Sequence, residues 1–343
     1  MNTVNQKIIQ AVIEKANRNC PDSLALIGVY GSVAAKDEYE KSDLDLLILI
    51  EDDEGWKLGT GFILDDRKVG YDIYCTGRDG LRYDAECRHA HLSKLLDSQI
   101  VYVKNQAAYD ELCALRERAK QLLQSEERFQ RAYELLDRAK VAYANACLRE
   151  ELGQVRLEAY GVISCLLDAV MLFHGTYFKR GVKRTFEELA ALPMDDVFAQ
   201  TIQKAVVSKE IDSLRELLKR LILCAERHMH REKQKAEPSE ALSGTYEEMV
   251  SNWRNKVEEA AKNADAFASF MNLCGFQLML SEIAEETAVG LFPVMDEYDP
   301  DDLEENTNTF DRYLQKYEQA YWRAGISVKR YADVDAFVAD YLS

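Results

Sequence analysis

Long apolar runs are missing from this sequence. No window approaches the roughly 18 consecutive apolar residues that a membrane-spanning helix needs, so no span is expected. The first stretch, MNTVNQKIIQAVIEKA, has no basic region followed by an apolar run, so no signal peptide is expected either. CxxC pairs are missing too: the eight cysteines stand singly, most in apolar settings such as Cys165 in VISCLLDAV. That pattern argues for reduced thiols in a cytoplasmic protein and against a disulfide framework. Positive charge is short. The 43 Lys and Arg face 60 Asp and Glu, leaving a formal net charge of −17. So acidic a surface repels a phosphate backbone, which excludes nucleic acid as an expected partner. A cationic small molecule, or a substrate delivered with metal ions, suits it better. There is no internal repeat.

What is present is enough for a real core. The apolar fraction is 47%, and 343 residues allow two domains or more. Val4, Ile8 and Val12, with Ile9 and Ile13 beside them, follow helical spacing over 3–19, closed by Cys20-Pro21. LALIGVY (24–30) and DLDLLILI (43–50) read as strands by length and flanks. GFILDD (61–66) and VGYDIYCTG (69–77) read as a hairpin around Asp65-Asp66. ECRHAHLSKLLDS (86–98) reads as a helix and QIVYVK (99–104) as a strand. From about residue 106 the pattern turns helical, over 106–124, 127–150 and 154–174. ISCLLDAVMLF is apolar nearly all round and should sit centrally in a bundle. Residues 232–244, polar with Pro238 and Gly244, are the best linker. Beyond them the chain is mostly helical, with 294–309 as an acidic loop that lacks the DxDxDG calcium pattern. The reading is an α+β protein: a small mixed-sheet domain over 1–122, then a large all-helical bundle domain over 123–343, with a subdivision near 232–244.

The chemistry concentrates in YGSVAAKDEYEKSDLDLLILI, residues 30–50. Asp43 and Asp45 stand at the mouth of an apolar strand, where burial of a carboxylate is costly without a partner. Alternate residues of a strand share a face, so both carboxylates point the same way, within reach of one cation. Gly31 lets the backbone turn sharply and approach a ligand. The Ser32 hydroxyl and the amides of the helix that follows make an anion site. A phosphate cradle beside paired aspartates suits a nucleoside triphosphate carrying magnesium, which prefers carboxylate and phosphate oxygens. Asp72, in VGYDIYC, joins the same cluster if its strand lies beside 43–50. Three acids could then hold two metal ions for an in-line displacement.

Gly31-Ser32, ten residues, Asp43-Leu44-Asp45, and a later strand carrying Asp72 between apolar neighbours resemble the signature of the nucleotidyltransferase superfamily. That superfamily includes DNA polymerase beta and the kanamycin-type aminoglycoside nucleotidyltransferases; the likeness spans about residues 24–104. It implies that Asp43 and Asp45 ligate two Mg2+ ions and that Asp72 shares the second and activates the acceptor hydroxyl. It also implies that Ser32 and the Gly31 backbone hold the outer phosphates of ATP or another nucleoside triphosphate. A helical domain closing over the nucleotide fits the small-molecule members, where a helix glutamate is thought to act as base. Glu158 and Asp168 are the acids of the most apolar helix here, and Glu158 is the favoured base. Four basic residues, Lys179, Arg180, Lys183 and Arg184, follow that helix and could reach a triphosphate. His89-x-His91 and His228-x-His230 read as surface helix residues, not ligands.

The expected activity is transfer of a nucleoside monophosphate, AMP from ATP first, to a hydroxyl of a small, aminoglycoside-like acceptor. The alternative is an antitoxin-like or regulatory protein that modifies or binds a protein partner. The Arg-x4–6-His motif of such partners has no clean example here, because Arg220 and His228 are too far apart. Acceptor, base and oligomeric state stay open at this level.

Overall fold

The computed structural model describes residues 3–231, 235 and 242–343, so the linker expected over 232–244 lies mostly outside the described residues. The chain forms two compact units, Met1–His230 and Arg231–Ser343.

In the first unit a four-stranded mixed sheet has the order β5-β2-β1-β6. The strands are β1 (Leu24–Val29), β2 (Leu46–Ile50), β5 (Cys75–Thr76) and β6 (Gln99–Val103). β1 runs antiparallel to β2 and β6, and β2 parallel to β5. β2 reads LLILI because both of its faces are buried, which removes the polar alternation of a solvent-facing strand. Leu46, Ile48 and Ile50 join a core with Ile9, Val12 and Ala16 of α1 (Thr3–Asn19). The same core takes Val69, Tyr71 and Ile73 of β4 (Val69–Ile73), which pairs only with β3 (Thr60–Leu64) in a separate hairpin. Leu47 and Leu49 face the other way, onto α3 (Arg78–Ala85), α4 (Ser93–Leu96) and α5 (Gln106–Gln124). That second core continues without a break across residue 122 into α6 (Glu127–Leu148), α7 (Leu152–Phe173), α9 (Asp196–Val206) and α10 (Ile211–His228). α7 packs along α6 and against α10, and its Val155, Ala159, Val162 and Leu166 are buried, as expected of the bundle's central helix.

Two expected elements differ. The helix expected over 86–98 is reduced to α4, because α3 ends at Ala85 and Cys87 takes a positive φ of 49°. Residues 86–92 form a turn, and neither His89 nor His91 is on a helix. In the second unit, the acidic loop expected over 294–309 is mostly structured. A short 3-10 turn covers Val294–Glu297, and Asp302 caps the helix Leu303–Arg323 by accepting from the Glu305 N–H at 2.9 Å. Glu304 and Glu305 then sit favourably in its first turn. The second unit's core stacks Phe276 on Phe310 at 4.0 Å and buries Tyr317 and Tyr321. Its helix Ala266–Glu286 is the one described helix long and apolar enough to cross a membrane. Leu273, Phe276, Leu280 and Ile283 of that helix pack into this core.

Candidate active site

The chain leaves β1 at Tyr30 and turns at Gly31, whose φ is +64°. A Cβ at Gly31 would overlap the Asp45 carboxylate, so only glycine lets the turn lie against that acid. The Tyr30 N–H donates to the Asp45 carbonyl at 3.1 Å, extending the β1–β2 ladder past its ends. Asp43 and Asp45 thus lie in the extended lead-in to β2, not in the strand itself. The Ser32 backbone amide is turned to the Asp45 carboxylate, and the helix it opens, α2 (Gly31–Ala35), has only five residues. The anion site expected there is correspondingly modest, since dipoles sum over few peptides.

Asp43 and Asp45 line one cavity of about 500 Å³ with Tyr30, Gly31 and Ser32. Burial first, and the neighbouring Asp43 charge second, push the Asp45 carboxyl up to about 6 against the Ser32 amide. Tyr30 is pushed up to about 12 by burial and by Asp45, Asp84 and Asp43, so it stays a neutral hydroxyl donor. Both shifts come first from burial and then from the neighbouring carboxylates.

Basic groups close the other wall. Lys179, Arg180 and Lys183 line the cavity, as does Lys41, whereas Arg184 does not. Their loop is pinned at several points. Glu188 of α8 (Thr185–Leu189) accepts the Lys179 and Arg180 amides, each at 2.9 Å. The Phe178 N–H donates to the Ala90 carbonyl at 2.8 Å. Arg184 grips the Asp37 carboxylate with Nε at 3.0 Å and a terminal nitrogen at 2.7 Å. Lys183 Nζ donates to the Asp37 carbonyl at 3.1 Å and lies over the Tyr39 ring at 5.2 Å. The loop before β2 and the loop after α7 are therefore strapped together at the rim.

Asp72 lines a different hollow from Asp45. Its hairpin packs Val69, Tyr71 and Ile73 on the α1 side of the sheet, so Asp72 and Gly70 face away from that core. Gly70, not Asp72, reaches the cavity that holds Asp45. Asp72 shares with Asp43 a neighbouring hollow of about 620 Å³, floored by Gly61 and Gly70. Among the described residues no three His, Cys, Asp or Glu side chains are gathered to hold a metal ion. Glu158 lies outside every cavity described here and is held by Arg149 at 3.0 and 3.1 Å. The other acid of that helix, Asp168, is buried and lies 3.6 Å from His91 Nε2. His91 lines the cavity, a place its sequence setting hid because the segment looked like an exposed helix. His228 instead meets His174 at 2.7 Å, away from the cavity.

A larger hollow, about 690 Å³, runs beside β5 and α3. It contains none of the residues singled out by the motif, and its Arg78 is already committed to Glu51 and Glu111.

No family model matches the chain, and no curated protein matches it. Among solved structures it is similar to a nucleotidyltransferase-like protein from Exiguobacterium sibiricum 255-15. The identity is 14% and the TM-score 0.37, over 72% of this chain and 80% of that one. A likeness this distant bears on neither substrate nor cofactor, and the functional reading stands on the site's own geometry.

Proposed function

We propose that the protein transfers a nucleoside monophosphate, AMP from ATP in the first instance, to a hydroxyl of a small-molecule acceptor and releases pyrophosphate. The observation that carries the reading is one cavity lined both by Asp43 and Asp45 and by Lys179, Arg180 and Lys183. A triphosphate is the ligand that satisfies both walls. Its outer oxygens meet the lysines and arginine, and its inner ones approach the aspartates together with a cation. The donor set fits magnesium, which is commonly held by one or two carboxylates plus substrate phosphates and water. Bound there, the ion supplies charge neutralisation at the α-phosphate. A second ion would draw on Asp72 from the adjoining hollow.

The chain's own residues do the rest. Gly31 permits close backbone approach, and Tyr30 donates a hydrogen bond from a hydroxyl that stays protonated. The loop strapped by Arg184 and Asp37 holds the basic wall over the phosphates. The hollow shared by Asp43 and Asp72 has no basic residue in its lining, which suits the amine-bearing part of an aminoglycoside-like acceptor whose reacting hydroxyl reaches past Asp43 into the first cavity.

The test is pyrophosphate release with magnesium, each nucleoside triphosphate and a panel of polyhydroxylated amines. Asp43→Asn should cut the rate by about 10³-fold or more, the scale of lost electrostatic stabilisation in such transition states, while the melting temperature holds. A rate within about tenfold of wild type would sink the assignment.

A further inference from the structure

Asp168 is the least explained acid in the first unit. It sits on the most apolar helix, among Val162, Leu166, Ala169 and Leu172, and is only 8% exposed. Its Oδ1 has no hydrogen-bond partner. A buried polar atom left open in this way calls for a functional or structural reason. Burial pushes its carboxyl up, opposed by His91, the Ala90 backbone, His89 and Arg138. His91 Nε2 lies 3.6 Å from the open oxygen, within ion-pair range and just beyond a hydrogen bond.

His91 is well placed to use that acid. Its ring stacks on Phe178 at 5.3 Å, and it lines the cavity that holds Asp43 and Asp45. The segment around it is fixed. The His91 N–H donates to His89 Nδ1 at 3.2 Å, and His89 Nε2 meets Asp84 at 3.1 Å. His89 is thereby occupied on both nitrogens, whereas His91 Nε2 only stands 3.6 Å from Asp168. His91 is the only histidine in the cavity lining among the described residues.

We propose that Asp168 is a positioning residue for His91, and that His91 is the group that takes the proton from the acceptor hydroxyl. The proposal rests on the transfer reading above. In the reacting complex the 3.6 Å gap closes, Asp168 accepts from Nε2–H, and Nδ1 is left as the free base. The hydroxyl oxygen bonds to the α-phosphorus as the bond from phosphorus to the bridging oxygen breaks. The electron pair departs with pyrophosphate, and the hydroxyl proton goes to Nδ1. An imidazole with a free ring nitrogen is the commonest general base. The charged groups facing His91 are Asp168 on α7 with Arg138 of α6 behind it, and His89 of its own turn. Asp43 and Asp45 face it from before β2, and Lys179, Arg180 and Lys183 from the loop after α7.

Two variants and two readouts test this. His91→Gln changes a largely exposed side chain, so folding is not at risk. Asp168→Asn keeps the shape and removes the charge. Each should lower kcat by about 10²–10⁴-fold with Mg-ATP affinity unchanged. The wild-type rate should rise with pH through the imidazole range. Asp168→Asn should move that inflection to lower pH, and His91→Gln should remove it. The second readout needs no turnover: 15N-histidine NMR of the full chain, which has five histidines. His91 should be the Nε2–H tautomer in wild type and a mixture in Asp168→Asn. A His91 tautomer indifferent to Asp168, or an active wild type whose pH profile survives His91→Gln, overturns the proposal alone. A wild type that releases no pyrophosphate with any nucleotide overturns the transfer reading and the role of His91 as base together.

Discussion

A carboxyl pushed up to about 6 keeps its proton to a far higher pH than an ordinary carboxylate, and Asp45 is in that position. Folding raises its pKa above the ordinary 3.8, so the ionised form is the one the folded state disfavours. For this group the metal-free protein therefore gains stability as pH falls from above about 6 towards the unfolded value, and loses it as pH rises through that window. Magnesium bound as proposed would reverse the sign, because it binds only the carboxylate. Its apparent affinity should climb through about pH 6 and flatten above, with a proton released on binding below that point. Calorimetry in buffers of different ionisation heat would measure that proton. Affinity flat from pH 5 to 8 would mean that Asp45 does not ligate the ion. The sequence carried this pair well, since alternation alone puts both acids on one side. It did not carry the choice between Glu158 and Asp168. Both lie on one apolar helix, and only the packing shows that Glu158 is spent on Arg149 while Asp168 looks towards the cavity lining.

Among the elements, the strands β1 and β2, the hairpin and the helices over 106–174 follow the apolar spacing closely, because both faces of the sheet and one face of each helix are buried. The turn at 86–92 does not, since a single positive φ at Cys87 decides it and nothing in the apolar pattern marks that residue. Nor was the pairing of the loops around residues 37 and 184 visible, because it joins residues 147 apart through one bidentate contact. The Arg184 hydrogen bond is the main reason the Asp37 carboxyl lies below the ordinary carboxylate range. Both groups are at the surface, so the pair should add little to global stability. Its effect should be on geometry. Arg184→Ala should leave the melting temperature within about 1 °C, since a surface ion pair contributes little to stability. The same change should raise KM for the nucleotide by about tenfold, because the basic wall loses its anchor. Equal KM values in a steady-state comparison would show that the strap does not govern the phosphates.

At the scale of the whole chain, every residue assigned to the candidate site falls between Tyr30 and Lys183, inside the first unit. That unit has its own two cores, one on each side of the sheet, and the second unit has a separate aromatic core of its own. A unit that buries its own core can fold alone. A chain ended at Arg231 is therefore expected to fold cooperatively and to bind Mg-ATP with a Kd within about threefold of the full protein, a difference below 1 kcal/mol. The acidic background sharpens the comparison. With a net charge of −17, the protein as a whole repels a polyphosphate, so binding must come from the local reversal of sign at Lys41, Lys179, Arg180 and Lys183. Lys183→Glu in the shortened chain should abolish nucleotide binding at low salt, where electrostatics act at longest range. Titration calorimetry on the two lengths, with and without that change, separates the possibilities. If the short chain folds but binds no Mg-ATP, residues beyond Arg231 contribute to the nucleotide site, and the confinement of that site to the first unit is wrong.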